Sequence, residues 1–237
     1  MENHHSITCV CAGNVLLFSG VMSAFERQNV LDSSLYTQVA TSRKFPAMSD
    51  FDQWQGAWRV GVRLSGWMVS EDNDETFPSF EQERFSVKEL IEAGLAKHQG
   101  SQSERDITAS LDAVSWSPLA MDLLRVHTVG HGAVTQGTEE FHDADNHSPT
   151  DQTTWVRVQA GVVSPGALLT QVTVCFETRE TVDADFLRQA FSVHEVVGRV
   201  RVNCCVALLE EADHEPLREF FITRLGGLRE EKILKLS

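Results

Sequence analysis

The sequence predicts an α+β fold in which helices from the middle and C-terminus pack on a largely antiparallel sheet, built from the second half of the chain plus an N-terminal strand. Three observations carry that expectation. Apolar and polar residues alternate from Trp155 to Ala160 and again from Arg199 to Cys204, the period of a strand. Apolar residues recur at three and four from Phe51 to Val62 and from Val87 to Leu95, the period of a helix. Between two of the apolar runs stands Ser164-Pro165-Gly166, whose turn chemistry joins strands as a hairpin.

Taken in order, Ser6 to Phe18 is rich in Val, Ile and Thr and reads as a strand broken at Gly13-Asn14, in an edge or hairpin position. Ser33 to Phe45 reads as a helix that ends before Pro46, with Leu35, Tyr36, Val39 and Ala40 at helical spacing. Ser49 or Asp50 caps the next helix, whose stripe of Phe51, Trp54, Trp58 and Val62 runs on to Trp67 and is weakened by Gly56, Gly61 and Gly66. The acidic stretch 70–83 reads as an exposed loop, with turn-favouring Pro78. Ser86 and Glu89 form a capping box for a helix whose apolar face is Val87, Leu90, Ile91 and Leu95. A second helix, with Ile107, Leu111 and Val114 on one face, would complete an αα-hairpin.

Beyond Trp116 the pattern becomes strand-like. Leu123 to Thr135, Thr154 to Val163, Leu168 to Thr178 and Arg199 to Leu209 are the predicted strands, each with one buried and one wet face. Asp183 to Phe191 fits a short crossing helix. His214 to Lys235 reads as a terminal helix kinked or divided at Gly226-Gly227. No internal repeat or low-complexity tract interrupts this order, and a single domain spanning residues 1–237 is expected, with loops at 70–83 and 136–152.

Charge and cysteine content narrow the function. The chain holds 34 acidic and 20 basic residues, a net charge of −14, so its summed field repels phosphate backbones and no nucleic-acid partner is expected. No apolar run approaches the roughly 20 residues of a membrane-spanning helix, and the N-terminus lacks the basic and apolar regions of a Sec signal. A soluble protein is expected, in the cytoplasm or exported by another route. The five cysteines include no Cys-x-x-Cys pair and fit buried thiols in a reducing compartment.

The run Leu35-Tyr-Thr-Gln-Val-Ala-Thr-Ser-Arg-Lys-Phe45, followed by Asp52, Trp54, Val62 and Gly66-Trp67-Met68-Val69, resembles a group of mostly uncharacterised bacterial proteins. These pair L-x-x-Q-L-A-x-x-K-[KY] with a later W…V…GW-x-V. Val39 and Arg43 depart conservatively from that pattern. The resemblance covers Leu35 to Val69 and implies a shared fold; it brings no catalytic residues with it.

The densest chemistry lies between Val126 and Asp151, where His127, His131, His142 and His147 stand among Glu139, Glu140, Asp143 and Asp145. His127 and His131, four apart, fall on one face of a strand or a helix. With His142, Asp143 or His147 they would give the three or four nitrogen and oxygen ligands of a zinc or other divalent-metal site, Glu140 serving as general base of a metal-dependent hydrolase. No His-Glu-x-x-His helix supports that alternative, and Gly130 and Gly132 suggest a bend. A third reading, a cysteine-dependent transferase or effector, would use Cys204 or Cys205 with His194 or His214. Gly-x-Ser-x-Gly, Walker and dinucleotide fingerprints are absent. The favoured expectation is a non-catalytic interaction module without a cofactor, docking a protein partner or assembling as a homo-oligomer. Its expected contact surfaces are the aromatic helix bearing Trp54, Trp58 and Trp67 and the exposed strand edges.

Overall fold

In a computed structural model of the chain, the structure describes residues 7–18, 22–77, 83–97, 117–131 and 152–236. It is the predicted α+β fold, but with helices on both faces of the sheet. Strands β1 (Ile7–Cys11), β2 (Asn14–Phe18), β3 (Trp67–Phe77), β6 (Thr154–Ser164), β7 (Leu168–Thr178), β9 (Val196–Leu209) and β10 (Ile233–Leu236) lie in the order β10-β1-β2-β6-β7-β9-β3. Every pairing along this path is antiparallel except that of β2 with β6. A short β5 (Val129–His131) pairs with the start of β6, and β4 (Arg84–Phe85) pairs with β8 (Phe191–Ser192) as a separate ribbon.

One face is covered by α1 (Ala24–Lys44), α2 (Phe51–Leu64) and α6 (Arg218–Leu225). There Leu35, Trp54, Trp58 and Phe221 pack over Cys11, Leu16, Val163 and Cys205. The opposite face is covered by α3 (residues 87–97), α4 (Pro118–Thr128) and the turns carrying Phe186 and Leu187, which close over Val158, Val174 and Val202. Burial of both faces removes the expected wet side. The polar members of the strand alternation, Arg157, Gln159, Gln171, Thr173 and Asn203, are buried under α1 and α2.

This polar layer is satisfied in part by its own side chains; Arg157 Nη1, Gln171 Oε1 and Asn203 Oδ1 are buried without a hydrogen-bond partner among the described residues. Asn14, Gln159, Thr173, Asn203 and Asp74 stand in register as one row across five strands. Gln38 of α1 accepts from the Gly13 amide at 3.1 Å and donates to Gln159 at 3.5 Å, while Gln159 donates to Thr173 at 3.2 Å.

Several elements form as expected. The N-terminal segment is a hairpin turning at Ala12-Gly13, and β6 and β7 are joined through Pro165-Gly166. The capping box of α3 closes, with the Glu89 amide donating to Ser86 at 3.2 Å and the Ser86 amide to Glu89 at 2.8 Å. Others differ. Helix α1 starts at Ala24, nine residues before Ser33, behind a capping box of Ser23 and Glu26. Its buried face includes Asn29, Asp32, Ser33, Thr37, Gln38 and Thr41, so apolar spacing underreads it. Trp67 is not on α2: it opens β3, an eleven-residue strand that occupies most of the expected 70–83 loop. Gly66, at φ +88°, turns α2 into β3 where a β-carbon would stand 2.9 Å from the His214 nitrogen.

The expected strand from Leu123 begins as the end of α4, which Ser117 caps ahead of Pro118; Val129–His131 is extended, and residues 132–135 lie outside the described residues. The 183–190 stretch, expected as a crossing helix, forms turns, with β8 beginning at Phe191. The C-terminal helix divides at Gly226-Gly227 into α6 and α7 (Leu228–Lys232), preceded by the single turn α5 (Glu211–His214), but ends in β10 because Ile233–Leu236 pairs with β1. The expected 103–114 helix and most of the 136–152 loop lie outside the described residues.

Candidate functional site

The histidine cluster loses its one firm pair. His127 closes the last turn of α4 and His131 ends β5, so the helix–strand junction at Thr128-Val129 separates them instead of setting them on one face. His127 is half-buried, its Nε2 without a hydrogen-bond partner, and burial, with Lys232 nearby, holds its pKa below the ordinary imidazole value. His131 is exposed. His142 and His147 lie outside the described residues, among which no three His, Cys, Asp or Glu side chains converge as metal ligands do.

The thiols are placed as core. All five cysteines are reduced and buried. Burial pushes the Cys205 thiol up to about 12 and Cys175 to about 12, the reverse of what a thiolate nucleophile needs. Cys204 points to the other core, its sulfur 3.8 Å from the Gly94 carbonyl. His214 is wholly buried, stacked on Phe221, with Nδ1 3.2 Å from the Ser65 carbonyl. His194 lies in the 3-10 turn before β9.

The tryptophans, expected as contact surface, are also core. Trp54, Trp58 and Trp67 are 1%, 5% and 4% exposed. Phe51, Trp54 and Trp58 stack in sequence along α2, with centroids 6.5 Å apart at each step. The indole nitrogens of Trp54 and Trp67 donate to Ser42 and Ser33 of α1 at 3.1 and 3.2 Å. Below Trp54 the Arg157 guanidinium lies 4.1 Å from the ring centroid, and burial draws its pKa down to about 10, so it stays charged at neutral pH.

Among the described residues the sheet has an open strand edge on the α2 side. β3 ends the sheet, and among the described residues no strand pairs with its outer side. Four of its eleven residues, Glu71, Asp72, Asp74 and Glu75, are acidic and none is basic. A bulge between Val69 and Glu71 sets Asp72 and Asp74 on the α2 side, in register with Cys205 and Asn203. There Arg59 of α2 meets both carboxylates, Nε at 2.7 Å from Asp72 and Nη2 at 2.6 Å from Asp74. The Asn203 amide donates to each at 2.9 Å, and Gln55 donates to Asp74 at 3.2 Å. Burial opposes the Arg59 charge, but the hydrogen bonds to Asp74 and Asp72 outweigh it and hold its pKa above the usual value.

Beside this clamp α2 and β9 leave a cleft of about 290 Å³ bordered by Phe51, Asp52, Arg199 and Arg201, in which Arg201 pairs with Asp52. No nucleophile with an adjoining base lines it. Reading 70–83 as a loop hid this site. Its signal was the Asp-x-Asp spacing at 72 and 74, which puts both carboxylates on one face of any strand.

No protein-family model matches the chain. No curated protein matches it either. Among solved structures, the chain is similar over 84% of its length to 84% of a delta-endotoxin, with a TM-score of 0.43 and 8% identity. It is similar over 94% of its length to 84% of the Evf virulence factor, with a TM-score of 0.33 and 6% identity. Likeness at this level assigns no activity to the chain.

Proposed function

We propose that the chain is a non-catalytic protein-interaction module that takes an extended segment of a partner protein onto the outer edge of β3. The observation that carries this reading is an eleven-residue edge strand whose outer side pairs with no strand among the described residues. Such an edge presents about five outward N–H groups, each worth roughly 0.5–1.5 kcal/mol net when paired. That supports moderate affinity by strand addition, the mode in which main-chain bonds hold the ligand and alternate side chains select it.

Charge selects the partner. Antiparallel pairing of β3 with the β3 of a second copy would set one carboxylate row against another, which is destabilising. A segment carrying Lys or Arg at alternate positions meets the row favourably and is drawn in by the net charge of −14. The Arg59 clamp holds Asp72 and Asp74 to α2 and so keeps the edge extended.

The test is a titration followed by fluorescence anisotropy, using a labelled eight-residue peptide of alternating Lys and Val. Saturable binding is expected, lost when alternate peptide nitrogens are methylated and absent for the Glu/Val analogue. Equal binding of the methylated peptide, or none by the Lys/Val peptide, overturns the reading.

A further inference from the structure

The two helical layers carry complementary surfaces that one chain cannot bring together. Between α1 and α6 lies an open groove of about 280 Å³, floored by Tyr36, Val39, Ala40 and Phe220 and flanked by Arg43 and Arg224. Phe220 is 42% exposed although it packs edge-on to Tyr36 at 5.3 Å, and Arg224 lies over its ring. No carboxylate lines this groove. On the other side of the sheet, α4 turns Leu119 and Val126 outward, with Asp122 between them, while Leu123 is partly buried against the inner core. Leu119 is 66% and Val126 71% exposed, while Ala120 and Leu124 anchor the inner face of the same helix.

We propose that α4 of one copy docks into the α1–α6 groove of a second copy, so that the chain assembles head to tail. Leu119, Asp122 and Val126 follow the i, i+3, i+7 spacing by which one face of a helix seats its anchors in a groove. Asp122 supplies the acid that the Arg43 and Arg224 rim lacks. Because α4 belongs to one core layer and α1 and α6 to the opposite one, ridge and groove cannot meet within a molecule. The contact is therefore heterologous: each docked pair still offers one free ridge and one free groove, which generates an open filament or, if the rotation closes, a ring. Two apolar anchors and one charged rim make a small interface, with an expected dissociation constant on the order of 100 μM or weaker. The net charge of −14 opposes approach at low salt; at physiological ionic strength that repulsion is screened beyond roughly 8 Å. None of these residues belongs to the β3 edge, so the two proposals stand or fall separately.

Sedimentation velocity on the full chain over a concentration series at physiological salt tests the assembly. The wild type is expected to sediment faster as concentration rises. Val126→Glu, which spoils the ridge, and Ala40→Trp, which fills the groove, are each expected to remain monomeric. Both positions face solvent, and unchanged circular dichroism with an unchanged urea unfolding midpoint would establish that the variants are folded; Leu119→Glu is a second ridge variant. Mixed in equal amounts, the two variants keep one intact ridge and one intact groove between them, so the mixture is expected to stop at dimers. A wild type that stays monomeric throughout, variants that still polymerise, or a mixture that stays monomeric while the wild type assembles would each overturn the proposal.

Discussion

Arg59 Nε lies 2.7 Å from Asp72 Oδ2, joining the middle of α2 to the outermost strand of the sheet. The same guanidinium reaches Asp74, so one side chain holds alternate residues of an acidic strand that, among the described residues, has a neighbour on one side only. Asp and Glu are poor strand formers, and four of them in eleven residues need a local reason to stay extended. For Asp72 and Asp74 that reason is the Arg59 cation above them and the Asn203 amide beneath.

Replacing that cation should therefore loosen β3 more than it loosens the core. Arg59→Met is expected to cost about 1–3 kcal/mol in urea unfolding, because it strands the poorly exposed Asp72 carboxylate beside Asp74. Adding Asp72→Asn should recover part of the loss; strictly additive effects of the two changes would show that the residues are not coupled.

The tryptophans make the opposite prediction from a contact surface. Trp54→Ala removes a ring 1% exposed, its bond to Ser42 and the face over Arg157. The expected loss is about 3–5 kcal/mol, a large part of the stability of an ordinary domain. A shift in unfolding free energy below about 1 kcal/mol would contradict core placement.

Acid should weaken the fold before its carboxylates titrate. Burial holds the pKa of His127 and His214 below the ordinary value, so the folded chain keeps both rings neutral while the unfolded chain protonates them near pH 6.5. Below that pH the unfolded state binds more protons, and stability falls by up to about 1.4 kcal/mol per pH unit for each histidine until its folded pKa is reached. Chemical denaturation at pH 7.5 and 5.5 checks this. The difference between the two should shrink in His214→Phe, even if that variant is less stable at both; an unchanged difference would remove His214 from the account.

Thiol chemistry should be silent in the native state. With Cys9 pushed up to about 11 and Cys175 and Cys205 to about 12 by burial, little thiolate exists at pH 8. A disulfide exchange reagent is expected to report no fast reaction until denaturant is added, and then all five thiols. One cysteine reacting within seconds in the folded protein would contradict this.

What the sequence made legible was what simple periodicity encodes. β7 falls on its predicted bounds and β6 one residue beyond, because Val and Thr alternation there is uninterrupted. The capping box at Ser86 marked the start of α3, and Gly226-Gly227 marked the break in the terminal helix. The misses share a cause: polar residues whose partners are distant in sequence. Asn29, Asp32 and Gln38 disguise the buried face of α1, Gln159 and Asn203 read as a wet sheet face, and Asp72 and Asp74 read as a loop. Each is held by side chains from another element, such as Gln38 with Gln159 or Arg59 with Asp72, which spacing along the chain cannot reveal. The strand edge was anticipated as a kind of surface, but not located, since β3 itself was hidden.

Amide hydrogen exchange along β3, with and without saturating Lys/Val peptide, tests strand addition most directly. In the free protein the outward amides from Ser70 to Asp74 are expected to exchange quickly and the inward ones, bonded to β9, slowly. Peptide should slow the outward set selectively, leaving α2 and β6 unchanged. Uniform protection across the sheet, or protection confined to another surface while β3 exchanges as before, would contradict the account.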